Sequence, residues 1–192
     1  MLVQLVTEKG QRKYLTKDER INFIQATKKV PPIDRTFCLM LVHTGCLISE
    51  ALNIRYQDIN LPEREVIIHT LRKRKKKTDF RTIPLSDYYM DELVYIHKLN
   101  HQNTTSSDAK LWSWSRGGGF RKVKDVMEKA EIKGYHATPL GIRHSFGLYC
   151  AENDIPLTFI RKWMGHSSLE ITQMYLFNKV QDERAMAKKM WT

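Results

Sequence analysis

Two segments of the sequence have the β-branched and aromatic composition of strands, and almost all of the rest has a helical pattern. Val66–Ile68 is the first predicted strand, and Phe80–Leu85 is the returning strand of a hairpin. Six consecutive basic residues, Arg72–Lys77, lie between them. Because strands do not alternate with helices along the chain, a doubly wound parallel sheet is excluded. The sequence therefore predicts an α+β, mainly α fold with one small antiparallel hairpin.

Capping residues and apolar spacing locate the predicted helices. Thr16 is the predicted N-cap of the first helix, with Glu19 at the capping-box position, and this helix ends before Pro31. The segment Thr36–Thr44 is apolar nearly all round, as in a helix central to a core, and Gly45 ends it. The remaining predicted helices are Ser49–Ile54, Asp87–Leu99, Phe120–Glu131, Arg143–Asn153, Leu157–Met164 and one that starts at Ser167–Glu170.

Length and charge limit the classes of protein. The 192 residues suffice for one ordinary core, so we predict a single domain over residues 1–192, with its core over 15–178 and a tail over 179–192. Lys and Arg number 32 and Asp and Glu 21, and the net charge of +11 favours a polyanionic partner such as nucleic acid. No apolar run approaches the ~18 residues of a spanning helix, and no signal-peptide pattern is present. We expect a cytoplasmic protein, nucleoid-associated if bacterial, without a membrane partner.

Neither the cysteines nor the weaker motifs predict a metal or cofactor site. His97 and His101 are spaced i, i+4 on one predicted helix, but no Glu follows the first and no Cys lies near, which favours a solvated face over zinc. Arg116–Gly119 lacks the Walker pattern and is expected to be a flexible turn, and Asn100–Lys110 is expected to be a polar loop. The expected reduced packing cysteines are Cys38, Cys46 and Cys150.

Three motifs occur in a fixed order around the basic hairpin. Thr44–Leu52 reads TGCLISEAL, Gly141–Phe146 reads GIRHSF, and Trp163–Ser168 reads WMGHSS. Tyr175 follows His166 by nine positions. Each piece is short, but the order of all three with a lysine-rich hairpin between them makes chance similarity improbable. Over nearly the whole chain, the sequence resembles the catalytic domain of tyrosine recombinases, the phage integrase family.

The resemblance implies site-specific DNA recombination through a 3′-phosphotyrosine intermediate, without metal, cofactor or external energy. It makes Tyr175 the nucleophile, Arg143 a clamp arginine and His166 a donor to the scissile phosphate. A hairpin lysine, Lys76 or Lys77, would protonate the leaving 5′-oxygen. Planar guanidinium groups suit this chemistry because the phosphorane carries extra negative charge and accepts paired hydrogen bonds.

Two positions depart from the family pattern. Leu47 stands where the first motif usually has an arginine, and Leu140, three residues before Arg143, stands where the second usually has a histidine. Leucine cannot donate a hydrogen bond or carry charge, and each lost donor is expected to raise the barrier by about 3 kcal/mol. We therefore expect weakened or lost cleavage. The rival expectation is full activity through substitute residues, for which the candidates are Arg55, His43 and His136.

Double-stranded DNA is the expected partner, since no stacking-aromatic motif of the RNA-binding modules is present. The basic run leaves the catalytic lysine open among Lys73, Lys75, Lys76 and Lys77. The helix that starts at Phe120 is expected to contact DNA, as in related recombinases. The predicted DNA-binding residues are Arg72, Lys73, Arg74, Lys75, Arg81, Arg116, Arg121, Lys122 and Lys124.

The resemblance also bears on assembly. Too few residues precede Leu15 for the N-terminal core-binding domain that most family members carry, and the size is similar to that of short fimbrial invertases, which consist of the catalytic domain alone. Self-association on DNA is expected through the tail, with Met186–Trp191 docking on a neighbouring protomer. The alternative function is a catalytically inactive DNA-binding regulator or architectural protein on the same fold.

Overall fold

The computed structural model describes residues 5–70, residues 80–177 and residue 190. Its α-helices are α1 (Lys17–Ala26), α2 (Pro32–Thr44), α3 (Ile48–Ala51), α4 (Asp87–His97), α5 (His101–Ser106), α6 (Arg116–Lys129), α7 (Pro139–Glu152), α8 (Leu157–Met164) and α9 (Leu169–Phe177). The described strands are β1 (Ile59–Asn60), β2 (Glu65–His69) and β3 (Phe80–Pro84). The predicted mainly helical α+β fold is confirmed.

The strands form one antiparallel sheet in the order β1-β2-β3. Val66 is opposite Ile83, and Ile68 is opposite Arg81, so the buried face of the sheet carries alternate residues of β2 and β3. The two predicted strands of the hairpin are confirmed. β1 was not predicted, because a strand of two residues shows no alternation of apolar and polar positions. The basic run Arg72–Lys77 lies outside the described residues.

Helix α2 passes through the centre of the larger core. Its residues from Phe37 to Val42 are all buried, as the apolar sequence predicts. Pro32 occupies the first turn, where a missing N–H costs nothing. Gly45 ends the helix with a φ of 60°, and a Cβ at this position would overlap the ring of Phe146 in α7. Gly45 therefore allows both the left-handed turn and the close approach of α7.

Several boundaries differ from the sequence-based expectations. Arg116–Gly119 is the first turn of α6 and not a flexible turn: the Ser115 side chain caps the helix, and a Cβ at Gly119 would lie 3.0 Å from Phe37 Cζ. The expected loop after α4 contains the short helix α5, which a reciprocal capping box of Asn100 and Asn103 begins. The third predicted helix is only the four residues of α3, and α7 starts earlier, at Pro139. The capping box of Thr16 with Glu19 is confirmed.

A buried polar cluster around Thr36 links α2 to α4. The Thr36 hydroxyl donates to the Ile33 carbonyl at 2.9 Å and accepts from Trp112 Nε1 at 3.3 Å. His97 Nε2 lies 2.9 Å from the same oxygen, and Tyr89 Oη donates to the Thr36 carbonyl at 2.6 Å. Because the hydroxyl proton is committed to Ile33, His97 has to be the donor. The expectation of a solvated His97 is wrong: it is buried in α4, while His101 is exposed in α5.

A second, smaller core lies among α7, α8 and α9 and includes Phe146, Ile160, Met164 and Tyr175. Trp163 packs against both cores and joins them. The three cysteines are free and buried, as predicted. Within the described ranges, no helix has the length and apolar character of a membrane span.

Burial of His97 makes a prediction about pH. Burial lowers the pKa of His97 from 6.5 to about 4, so the folded chain resists protonation that the unfolded chain accepts. His97 therefore has no effect on the pH dependence of the free energy of unfolding above pH 6.5. As the pH falls from 6.5 towards 4, the free energy of unfolding decreases by up to about 3 kcal/mol because of this residue. Urea unfolding of the wild type, His97→Gln and His101→Gln across this range measures the effect.

The His97→Gln variant is expected to lose part of this pH dependence, since glutamine donates to Thr36 without titrating. His101→Gln serves as the control, because His101 is exposed, and is expected to follow the wild type. Equal pH dependence in all three proteins would contradict the prediction. His43 and His144, whose pKa values burial also lowers to about 4, contribute to the dependence that remains.

Candidate active site

Tyr175, His166 and His144 come together where α7 and α9 pack. Tyr175 in α9 is fully buried, and its ring stacks on that of His166 with centroids 6.1 Å apart and planes 15° from parallel. Tyr175 Oη lies 3.2 Å from His144 Nδ1. His166 Nδ1 is 3.0 Å from Thr172 Oγ1, one turn before Tyr175 in α9. The nine-position spacing of His166 and Tyr175 therefore places their two rings side by side.

The Tyr175 hydroxyl is held in its neutral form. Burial raises the pKa of Tyr175 well above its usual range, and the positive charge of Arg143 offsets only part of that rise. Burial also lowers the pKa of His144 to about 4, with smaller contributions from Arg143 and Lys13, so the imidazole is uncharged at neutral pH. A neutral imidazole nitrogen can accept the phenolic proton, and the pair therefore satisfies both polar groups inside the core.

His144 was missed by the sequence analysis. It directly follows Arg143 in the second motif, and the helical pattern alone places it on a buried face without indicating a partner. The one sequence signal was that His144 precedes Gly147 by one helical turn, so both residues lie on the same face of α7. Gly147 lies against Tyr175, since a Cβ there would overlap the tyrosine ring. Sequence spacing cannot show that two residues 31 positions apart meet.

Arg143 faces inward and bridges two backbone segments. Its Nη1 donates to the Gly45 carbonyl and its Nη2 to the Met164 carbonyl, both at 2.7 Å, and the residue is only 6% exposed. The Gly45 and Met164 carbonyls lie at the C-terminal ends of α2 and α8, where backbone carbonyls have no partner within the helix. Burial lowers the pKa of Arg143, but an arginine stays charged in proteins. Arg143 thus holds the turn that follows α2 against the end of α8.

Arg81 reaches the same end of α8 as Arg143 and is buried. It is 5% exposed, and its guanidinium donates to both Glu50 oxygens, at 3.1 and 2.7 Å. Arg81 Nε also donates to the Trp163 carbonyl at 2.6 Å. The expectation of DNA contact came from its charge and its place in the hairpin, but the strand register turns it to the buried face.

The two positions that depart from the family pattern border this cluster and are accessible. Leu47 is 36% exposed at the N-cap of α3, and Leu140 is 50% exposed in the first turn of α7. Leu140 lies one turn before Arg143, and Leu47 lies two residues after the Gly45 carbonyl that Arg143 bonds. Both side chains are apolar at the places where the pattern expects hydrogen-bond donors.

The candidate substitute residues have partners elsewhere. Arg55 pairs with Asp108, and His136 Nε2 lies 3.1 Å from Glu19 Oε1. The His43 ring stacks on Tyr89, with centroids 4.8 Å apart. In the described part of the chain, all three candidate side chains thus contact partners other than Tyr175, His166 and Arg143.

Among the predicted DNA-binding residues of α6, Arg116, Arg121 and Lys124 are exposed. Lys122 Nζ pairs with Asp34 at 2.7 Å, and Lys124 Nζ donates to the Ala137 carbonyl at 3.1 Å. The other predicted residues lie outside the described ranges: Arg72, Lys73, Arg74, Lys75, Lys76 and Lys77. Among the residues that the structure describes, no three His, Cys, Asp or Glu side chains cluster as a metal site.

Comparison of the sequence with known proteins extends this picture. The profile of the phage integrase family matches residues 13–182. Tyrosine recombinase XerA of Pyrococcus furiosus is 29% identical over 176 residues, which are 85% of this chain and 56% of that protein. Tyrosine recombinase XerD of Staphylococcus epidermidis is 29% identical over 167 residues, 83% of this chain and 53% of that protein. The chain therefore spans about half the length of the curated relatives it matches.

Solved structures share the fold. A crystal structure of XerA recombinase superposes with a TM-score of 0.70 at 22% identity and covers 93% of this chain and 65% of that one. The catalytic domain of bacteriophage HP1 integrase superposes with a TM-score of 0.65 at 17% identity, over 91% of this chain and 93% of that one. A structure of the XerH site-specific recombinase bound to its difH substrate has a TM-score of 0.70 at 16% identity and covers 97% of this chain and 60% of that one.

The packing of Gly147 against Tyr175 can be tested by Gly147→Ala. The added methyl group overlaps the tyrosine ring, so the ring is expected to move out of the core and the free energy of unfolding to fall by about 1–3 kcal/mol. Nitration of Tyr175, followed by mass spectrometry, measures its accessibility. Gly117→Ala is the control, because the nearest atom to its Cβ is 3.8 Å away, and it leaves nitration unchanged. Unchanged nitration in Gly147→Ala would show that the ring is not held there.

Proposed function

Because the chain belongs to the phage integrase family, we propose that it is a tyrosine recombinase that binds double-stranded DNA in site-specific recombination and whose strand cleavage is strongly reduced. Residues 1–192 then act as a catalytic domain. The described residues of that domain retain Tyr175, Arg143 and His166. One observation carries the proposal: Leu47 and Leu140 occupy accessible positions beside this cluster, where the family pattern has an arginine and a histidine.

In the proposed reaction, Tyr175 Oη attacks a backbone phosphorus and forms a 3′-phosphotyrosine bond. The bond from phosphorus to the 5′-oxygen breaks, and Lys76 or Lys77 supplies the proton to that oxygen. The Tyr175 proton leaves to a base, and the reverse reaction rejoins the strands. Because the ring is fully buried and bonded to His144, Tyr175 has to move before its Oη reaches a phosphate.

The two leucines account for reduced cleavage. The pentavalent transition state carries more negative charge than the ground state, so donors aimed at it lower the barrier. Removal of one such donor costs about 3 kcal/mol, and removal of two slows cleavage by several orders of magnitude even where the effects do not add. Arg55, His43 and His136 have other partners in the described structure, which supports reduced cleavage over full activity by substitution.

The comparisons favour DNA as the ligand. One structural neighbour is XerH bound to its difH substrate, and another is the Tn1549 transposon integrase in complex with transposon right end DNA. The net charge of +11 and the exposed Arg116 and Arg121 are consistent with phosphate contacts by this chain. Self-association through residues 179–192 belongs to the same proposal, because several protomers assembled on one site contact more phosphates together and bind more tightly than one protomer does.

Covalent trapping tests the chemistry. Duplexes are first selected by binding from fragments of the DNA that flanks the coding sequence, and are then nicked so that cleavage traps the protein. Leu47→Arg/Leu140→His is expected to form a detergent-resistant adduct at least about a hundredfold faster than the wild type. Adding Tyr175→Phe to this double variant is expected to abolish the adduct.

Each other outcome has a distinct meaning. An adduct in the wild type as fast as in the double variant would contradict reduced cleavage and would show that other residues replace the two donors. If no protein forms an adduct on DNA that it binds, the chain acts as a DNA-binding regulator, and the proposed chemistry is wrong.

Salt dependence tests the basic hairpin segment. Replacing Lys76 and Lys77 by glutamine is expected to weaken binding to duplex DNA and to lower the slope of log affinity against log salt by about 0.9 for each phosphate that the variant no longer neutralises. Fluorescence anisotropy at several salt concentrations measures the slope. The matched control is Lys28→Gln/Lys29→Gln, an exposed lysine pair in the short helix Thr27–Lys29, which is expected to leave the slope unchanged. An equal fall in both variants would mean that only overall charge matters.

A further inference from the structure

Arg81 connects the base of the basic hairpin to the site. It is the second residue of β3, which begins directly after residues 71–79, and its Nη1 lies 3.4 Å from Thr70 Oγ1 on the other side of that segment. The same guanidinium bonds both Glu50 oxygens in α3 and the Trp163 carbonyl in α8. One buried side chain therefore joins the hairpin, the first motif and the third motif.

The contact with the third motif is close. Gly165 ends α8 with a φ of 65°, and a Cβ there would lie 2.9 Å from Arg81 Nη1. The turn that leads into His166 thus rests directly on the guanidinium. The carbonyls of two successive residues at the end of α8 are bonded by two different arginines: Trp163 by Arg81, and Met164 by Arg143. Removal of Arg81 takes away one of the two arginine contacts at this end of α8.

Glu50 extends the connection to the first motif. Its Oε2 accepts from Arg81 Nη2 at 2.7 Å and from the Leu47 backbone N–H at 2.9 Å. The backbone of Leu47, a position flanking the site, is therefore fixed by the same carboxylate that fixes Arg81. Because both ions are almost fully buried, neither can reorient without leaving an unpaired charge in the core.

We propose that Arg81 is a positioning residue, which holds the turn carrying His166 and the start of α3 in register with the strand that leads out of the basic hairpin. The proposal rests on the proposed function. The positioning role deepens the proposed function, because the hairpin lysine and His166 would act on the same phosphate and therefore need a fixed distance between them. Stability alone does not explain such a pair, since replacing a buried ion pair by apolar residues is often neutral or stabilising.

The test compares Arg81 with a matched arginine elsewhere. Arg35 also makes two hydrogen bonds to a carboxylate, that of Glu92, and both residues of this pair are largely buried between α2 and α4. Arg81→Met/Glu50→Gln and Arg35→Met/Glu92→Gln are each placed in the Leu47→Arg/Leu140→His background. Replacing both partners avoids an unpaired buried charge, which would unfold the chain. Urea unfolding confirms that both variants are folded.

The adduct rate and the His166 ring signal are the two readouts. The Arg81 variant is expected to lose about tenfold to a hundredfold in adduct rate, as small displacements of catalytic groups do, while its affinity for duplex DNA stays within about twofold. The Arg35 variant is expected to keep its rate. In spectra of ¹³C-histidine protein, assigned by His166→Gln, the His166 signal is expected to shift only in the Arg81 variant.

The outcomes separate this proposal from the proposed function. Equal falls in rate in the two variants, or an unshifted His166 signal in the Arg81 variant, would overturn the positioning role. If the Leu47→Arg/Leu140→His parent itself forms no adduct, the proposed chemistry fails, and the His166 signal alone then decides the role of Arg81.

Discussion

Two buried guanidinium groups at the end of α8 are the interaction on which the site depends. Arg81 and Arg143 reach this end from β3 and α7, which are far apart in the sequence, and bond successive carbonyls. A buried charge requires such partners, because desolvation without them costs more than the fold can supply. The position of His166, one residue beyond the left-handed Gly165, follows from these bonds. The site is thus built by the requirement to satisfy two cations inside a small core.

The leucines at the site separate fold from chemistry. Leu47 is the N-cap of α3, and its backbone N–H donates to the Glu50 side chain. Any residue other than proline can supply this N–H. Leu140 lies in the first turn of α7 with half of its surface exposed. Neither side chain has a polar group that could bond Arg81 or Arg143. A donor at either position therefore matters only for a bound phosphate, so the fold can persist when the donors are absent.

The parts predicted from sequence were those with local signals. Thr16 with Glu19, Gly45 and the alternation of β2 with β3 are set by neighbours along the chain, and the structure confirms them. The glycines of α6 indicated a turn because the contact that requires Gly119, the approach of Phe37, is tertiary. The partners of Arg81 and His144 were not predicted for the same reason: charge and spacing do not show which buried group a side chain contacts.

The contacts that stabilise the small core also oppose the proposed attack. Tyr175 fills the space above Gly147, stacks on His166 and bonds His144, so its movement towards a phosphate opens the core among α7, α8 and α9. DNA binding has to compensate for this cost. In the proposed function the chain lacks two phosphate donors and has less binding energy for this purpose, so the buried tyrosine and the two leucines both reduce cleavage.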